Sequence, residues 1–319
     1  MNGERPTVSD VLAARRTISP YLRPTALYRY DRLGRSIGAE VWVKHENHQP
    51  VGAFKVRGGV NLVANLSEAE RRRGISAATT GNHGQSLAFA GRLFGVRVVV
   101  FVPEGANPLK VDAMRDLGAE VIAHGRDFDE ARERCEEVSK EEGFRYVHSG
   151  NEPLLIAGVA TETLEILEEQ PYSDTVVVPV GGGSGAAGAC IVAKSLRPAT
   201  KVVGVQSEAA PAAFLSWRAR RVVEDRTATF AEGLATRTGF ELPQRILWDL
   251  LDDFVLVSED DLRFATRELI EVTRNLVEGA GAAAWAGARK IADRLAGTRV
   301  AVICSGGNVN PVQLVDLLS

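Results

Sequence analysis

Lys55 stands between Phe54 and Val56 in the run Gly52-Ala53-Phe54-Lys55-Val56-Arg57-Gly58-Gly59. Apolar neighbours that strip water from an ammonium favour the neutral amine, the form required of a Schiff-base nucleophile. Residue types alone would equally allow a surface lysine. A second cluster, Thr79-Thr80-Gly81-Asn82-His83-Gly84-Gln85, offers hydroxyls, an amide and the first N–H groups of a helix. That set suits an anionic group such as a substrate carboxylate, or a simple helix cap. A third, Gly181-Gly182-Gly183-Ser184-Gly185-Ala186-Ala187-Gly188, follows the apolar run 175–180 and leads into an Ala-rich stretch. Glycines let backbone N–H groups converge, and a helix N-terminus adds the positive end of a dipole, so the segment reads as a phosphate cradle. The fourth, Ser305-Gly306-Gly307-Asn308, closes the last apolar run.

The glycine loop does not identify its phosphate. Gly183-Ser184-Gly185-Ala186-Ala187-Gly188 spells the dinucleotide fingerprint G-x-G-x-x-G, and Glu208 falls where a ribose-binding acid would stand. A nicotinamide-dependent oxidoreductase therefore stays open on this segment alone. His83 as a general base lacks an acidic orienting partner nearby in sequence.

These clusters need a frame. Apolar runs at 40–44, 75–79, 97–102, 120–123, 175–180, 201–206, 253–257 and 299–304 are near-continuous in Val and Ile. Such runs fit parallel strands covered on both faces. Helical patterns lie between them, among them 82–94, 127–142 and 260–278. Ser67 with Glu70 and Ser258 with Asp261 are spaced as capping boxes. The run Arg71-Arg72-Arg73 reads as the solvated end of a short helix. This alternation predicts an α/β architecture of parallel twisted sheets flanked by helices.

Composition narrows the partners. The 319 residues carry 38 basic and 41 acidic side chains, a net charge of −3, which leaves no footprint for nucleic acid or an anionic membrane. No apolar run approaches the roughly 20 residues of a membrane helix, and the N-terminus lacks the apolar core of a secretory signal. Three widely spaced cysteines make neither a disulfide framework nor a zinc ribbon. A cytoplasmic location is the expectation.

In order, spacing and wording the four clusters together resemble the fold-type II pyridoxal-phosphate enzymes, in their threonine dehydratase and serine racemase branch. The family writes these segments as G-S-F-K-x-R-G, S-x-G-N-H-x-Q, G-G-G-G and S-G-G-N. Tyr146-Val147-His148, Ile156-Ala157-Gly158, Phe230-Ala231-Glu232-Gly233 and Glu278-Gly279-Ala280-Gly281 are similar secondary landmarks. The resemblance implies a tryptophan synthase β-like fold and pyridoxal 5′-phosphate as cofactor. It implies a large cofactor-binding domain from residues 1–73 and 151–319 and a small domain from residues 74–150. It also implies roles. Lys55 would hold the cofactor covalently and act as catalytic base, with Phe54 packed beside it. Asn82 would bond the cofactor's ring oxygen, Gly181, Gly182, Gly183, Ser184 and Gly185 its phosphate, and Ser305 its pyridine nitrogen. Thr79, Thr80, Gly81 and His83 would receive the substrate carboxylate. The implied activity is elimination of water from a 3-hydroxy amino acid to give a 2-oxo acid and ammonia, in a homodimer.

Several positions depart from the family's wording. Ala53 replaces a serine, and Thr80 stands where racemases carry a proton-relaying serine, which keeps racemisation as an alternative. The divalent-cation site of serine racemases would fall on Gln206, Ala210 and Ala212, which cannot supply carboxylates, so no metal is expected; Glu208 is the nearest substitute. Gly150 would stand where a larger side chain closes the substrate end, predicting a wider pocket for substrates such as 3-phenylserine or 3-hydroxyaspartate. The sequence stops at Ser319, soon after the fourth cluster, so feedback by isoleucine through a C-terminal regulatory domain is not expected.

Overall fold

The computed structural model describes residues 4–79, 81–126 and 128–318. Among the described residues ten strands form two sheets: β1 (Leu27–Arg29), β2 (Glu40–His45), β3 (Ile75–Ala78), β4 (Val98–Val102), β5 (Glu120–Ala123), β6 (Arg145–Tyr146), β7 (Thr175–Pro179), β8 (Lys201–Ser207), β9 (Asp253–Val257) and β10 (Arg299–Cys304). The larger sheet runs β1-β2-β10-β7-β8-β9 and the smaller β5-β4-β3-β6. All pairs are parallel except β1 with β2.

The valine-rich runs have the expected cause. In β7, Val176 and Val178 enter one buried cluster with Ile191 and Ile246, while Val177 enters another with Trp285 and Leu262. In β4, Val98, Val100 and Val102 pack with Leu87 and Met114, whereas Val99 and Phe101 pack with Ala131 and Cys135. Successive side chains point to opposite faces, and both faces are covered by helices, so apolar residues dominate and a polar one such as Thr175 is buried with the rest. The cluster under the small sheet also draws Val56, Val60 and Leu62 from the helix that begins at Lys55.

Both capping boxes form, Ser67 with Glu70 and Ser258 with Asp261. Arg72 pairs with Glu68, but Arg71 turns inward and donates to the carbonyls of Ala64 and Leu66, closing the preceding helix rather than standing in solvent. The helix expected over 260–278 forms as Glu259–Thr273 and stops short of its expected end; a link over 274–278 follows, and a separate helix, Gly279–Lys290, begins beyond that range. Arg274 adopts a left-handed conformation (φ 59°) that stops the first, and the link that follows brings Glu278 inward. Strands β1 and β6, of three and two residues, are too short to show a period.

Candidate active site

Strands β3, β7 and β10 end, at their carboxyl ends, in the three loops singled out above, and parallel sheets bind ligands at such ends. A cavity of about 740 Å³ lies among these loops and the start of helix Lys55–Ala64. Phe54, Lys55, Thr79, Gly81, Asn82, His83, Gly181, Gly182, Gly183, Ser184, Gly185 and Ser305 all line it. Thr80 lies outside the described residues.

Lys55 is the first residue of its helix, and the preceding chain is pinned by a bridge between Ala53 and Gly306 and by Phe54 N–H donating to Ser305 O at 3.0 Å. Its Nζ donates to Ser184 Oγ at 2.9 Å and to Ser149 O at 3.2 Å, and lies 5.1 Å from the centre of the Phe54 ring. Both partners are neutral. Burial therefore dominates and lowers the Lys55 amine to about 8, although an ionised Glu162 would push it back up.

The glycine loop is shaped by close approach. Gly183 takes φ +90°, and a Cβ on Gly181 would lie 2.1 Å from the backbone oxygen of Gly233. Helix Ser184–Leu196 follows, 13 residues long, and no side chain caps its first N–H groups. Those donors and the helix dipole meet the cavity beside Lys55, which fits a phosphate group.

Asn82 is held at both ends of its amide. Its Nδ2 donates to Glu278 at 2.7 Å, and its Oδ1 accepts from Asn308 Nδ2 at 2.8 Å. Burial raises the Glu278 carboxyl above the usual range, partly offset by the Lys110 charge and by Asn82. Glu278 reaches Asn82 across 196 positions of the sequence, so no local pattern pairs the two. Ser305 Oγ is buried and makes a long bond of 3.4 Å to Ala280 O. Thr79 Oγ1 accepts from Gly81 N–H at 3.0 Å. His83 contacts Val147 O at 3.4 Å through Nε2, so that nitrogen carries the proton, and its buried Nδ1 has no partner among the described residues. Burial, then the charge of Lys55, lowers the imidazole to about 3, so it stands neutral. Lys110 and Glu232, also in the cavity wall, form an ion pair with each other.

A family model described as pyridoxal-phosphate dependent enzyme matches residues 18–306. The chain belongs to this family. It is 38% identical over 312 residues to an L-threonine ammonia-lyase of Thermotoga maritima, covering 97% of this chain and 77% of that protein. It is 34% identical to the catabolic L-threonine dehydratase of Escherichia coli K12, covering 95% and 93%. Against the biosynthetic L-threonine dehydratase of the same strain the match spans 56% of the relative's length. Among solved structures, threonine deaminase isoform 2 of Solanum lycopersicum superposes with a TM-score of 0.93 at 30% identity, covering 99% of this chain and 97% of that one. Serine racemase of Dictyostelium discoideum gives 0.90 at 30% identity, covering 96% and 99%.

Fold-type II membership makes pyridoxal 5′-phosphate the cofactor and removes the dinucleotide reading. Glu208, the acid that reading required, instead pairs with Lys290 at 2.9 Å. The wider pocket expected at Gly150 is also corrected. A Cβ there would lie 2.4 Å from Phe240 Cδ2, so the Phe240 ring, itself part of the cavity wall, takes the space the glycine vacates. At the three positions set against a cation site, Gln206 Oε1 accepts from Phe214 N–H at 3.0 Å, and Ala210 and Ala212 are buried.

Proposed function

We propose that this chain is a pyridoxal-phosphate-dependent ammonia-lyase that eliminates water from threonine- or serine-type 3-hydroxy amino acids, giving a 2-oxo acid and ammonia. The observation that carries the reading is Lys55 itself, an amine brought to about 8 by burial, bonded to the first residue of an uncapped helix and facing a cavity. Bound pyridoxal phosphate supplies the electron sink for carbon–hydrogen cleavage next to the amino group. The N–H groups of residues 181–185 hold its phosphate. Asn82, fixed by Glu278 and Asn308, orients its ring, and Ser305 offers a neutral hydroxyl to the ring nitrogen. The loop Thr79–His83 takes the substrate carboxylate through hydroxyl and backbone donors, since a neutral His83 brings no charge. Lys55 Nζ, its proton affinity lowered by burial, takes the Cα proton in its neutral form, and the β-hydroxyl leaves as water.

The names of the relatives support elimination over racemisation as the main reaction, and the serine racemase likeness keeps racemisation as a side reaction. The proposal extends to a homodimer in the cytoplasm, with residues 1–73 and 151–319 as one domain and 74–150 as the other. Among the described residues no helix is long and apolar enough to cross a membrane. Purified protein should show the visible absorbance of a lysine-bound cofactor and release ammonia from L-threonine or L-serine. Lys55→Ala should lose both, with turnover reduced by several orders of magnitude. Conversion of either substrate to its enantiomer without ammonia would overturn the lyase reading.

A further inference from the structure

Behind the glycine loop lies a carboxyl group that the reaction above leaves without a task. Glu162, in helix Thr161–Glu169, is 1% exposed, and neither of its oxygens has a hydrogen-bond partner among the described residues. Oε1 lies 3.6 Å from where a Cβ on Gly185 would stand, beside the Phe54 ring. Gly185 and Phe54 both line the cavity.

The charges around it are already balanced. Arg57 bonds both oxygens of Glu46 and both of Glu165, and Lys44 Nζ donates to Glu165 Oε2 at 2.6 Å. Two cations thus answer two carboxylates. On the other packed elements, Lys194 of helix Ser184–Leu196 pairs with Asp252, and in helix Val8–Ile18 Arg15 pairs with Glu168, Asp10 bonds Thr7, and Arg16 is exposed. Helix Pro153–Val159 carries no charge. An ionised Glu162 would therefore be a buried, unsatisfied third anion on the phosphate side of the cavity.

We infer that Glu162 is a positioning residue held as the neutral carboxylic acid beneath the glycine loop, keeping that wall uncharged for the cofactor phosphate and the Lys55 amine. Burial pushes the carboxyl well above its ordinary range, and the negative charge of Glu46 acts in the same direction. An ionised Glu162 would repel the phosphate and raise the proton affinity of Lys55, and both effects oppose retention of the cofactor. The inference rests on Lys55 and residues 181–185 being the cofactor site.

Denaturant unfolding of the full-length holoenzyme across pH 4 to 9, compared with Glu162→Gln, tests the protonation state. A carboxyl whose folded pKa is raised binds its proton more tightly in the native than in the unfolded chain. Wild type should then lose stability relative to the amide as pH rises above about 4.5, by about tenfold in the unfolding equilibrium per pH unit until the folded pKa is reached. An amide that is less stable than wild type, or a gap that does not widen with pH, would overturn the neutral acid. Glu162→Met serves if the amide fails to fold, with the same slope expected. The link to the cofactor is read from its dissociation constant: at alkaline pH it should rise about tenfold more in wild type than in Glu162→Gln. Parallel curves would overturn that link. Repeating the unfolding series in Lys55→Ala separates the two readings, because the slope should persist there even if Lys55 is not the cofactor lysine.

Discussion

The ionic cluster around Arg57 and the cavity around Lys55 adjoin in sequence yet meet their charges in opposite ways. Lys44 is fully buried and donates to the carboxylate of Glu165 and to Thr25 O. Lys55 is partly buried and, among the described residues, donates only to a hydroxyl and a carbonyl. In the first region countercharges lock each group into a network; in the second their absence lets desolvation set the amine near 8. Burial is common to both lysines, so burial does not mark the nucleophile. The missing countercharge does.

The largest break in this contrast would come from the paired side. Arg57 is 1% exposed and supplies bonds to Glu46, Glu165 and Thr161. Arg57→Met would leave two buried carboxylates with Lys44 as the remaining cation. Loss of one partner of a buried pair costs about 3–5 kcal/mol, and that is the destabilisation expected from denaturant unfolding. A change below about 1 kcal/mol would mean that water enters the cluster and that its charges are not met by one another.

Asn82 stands between the two regimes, a neutral amide held by the buried acid Glu278. Asn82→Ala removes an amide bonded to that carboxyl, an interaction of about 1.5–3 kcal/mol when the acceptor is charged. A fall of about ten- to a hundredfold in kcat/KM is expected, with a shifted absorbance of the bound cofactor. An unchanged spectrum would remove Asn82 from the cofactor contacts and leave it a purely structural link between Glu278 and Asn308.

The parts of this arrangement that were legible in sequence are local ones. Valine-rich runs mark doubly covered strands because both faces of a parallel sheet pack mainly against apolar helix faces, and glycine loops after them mark sites because backbone must approach a ligand. Lys55, Asn82 and residues 181–185 fall in such windows, and all line one cavity. What escaped reading depends on contacts between distant segments. Glu278 meets Asn82 only because Arg274 ends a helix in a left-handed turn, a conformation that arginine rarely adopts and no pattern announces. Glu162 lies in a helix whose neighbours are mostly apolar or small, so its isolation from partners shows only in three dimensions. Gly150 misled for the same reason, since Phe240 fills its space from far along the chain.

Phe240 sharpens the comparison from the permissive side. Its ring packs edge-on against His148 at 4.7 Å, and a Cβ on Gly182 would lie 2.2 Å from its Cε2, so it bridges the Gly150 turn and the glycine loop. Unlike Arg57, it faces open cavity on one side, and truncation removes no countercharge. Phe240→Ala should therefore leave the ionic cluster intact and cost less stability than Arg57→Met, while opening the space that Gly150 alone does not. A pocket contact of this kind discriminates between side chains by about 1–3 kcal/mol. Turnover of 3-phenylserine relative to threonine should accordingly rise about tenfold or more in the variant. An unchanged ratio would show that the added volume lies away from the substrate's β-carbon, and would locate selectivity instead at the Lys110–Glu232 pair on the cavity wall.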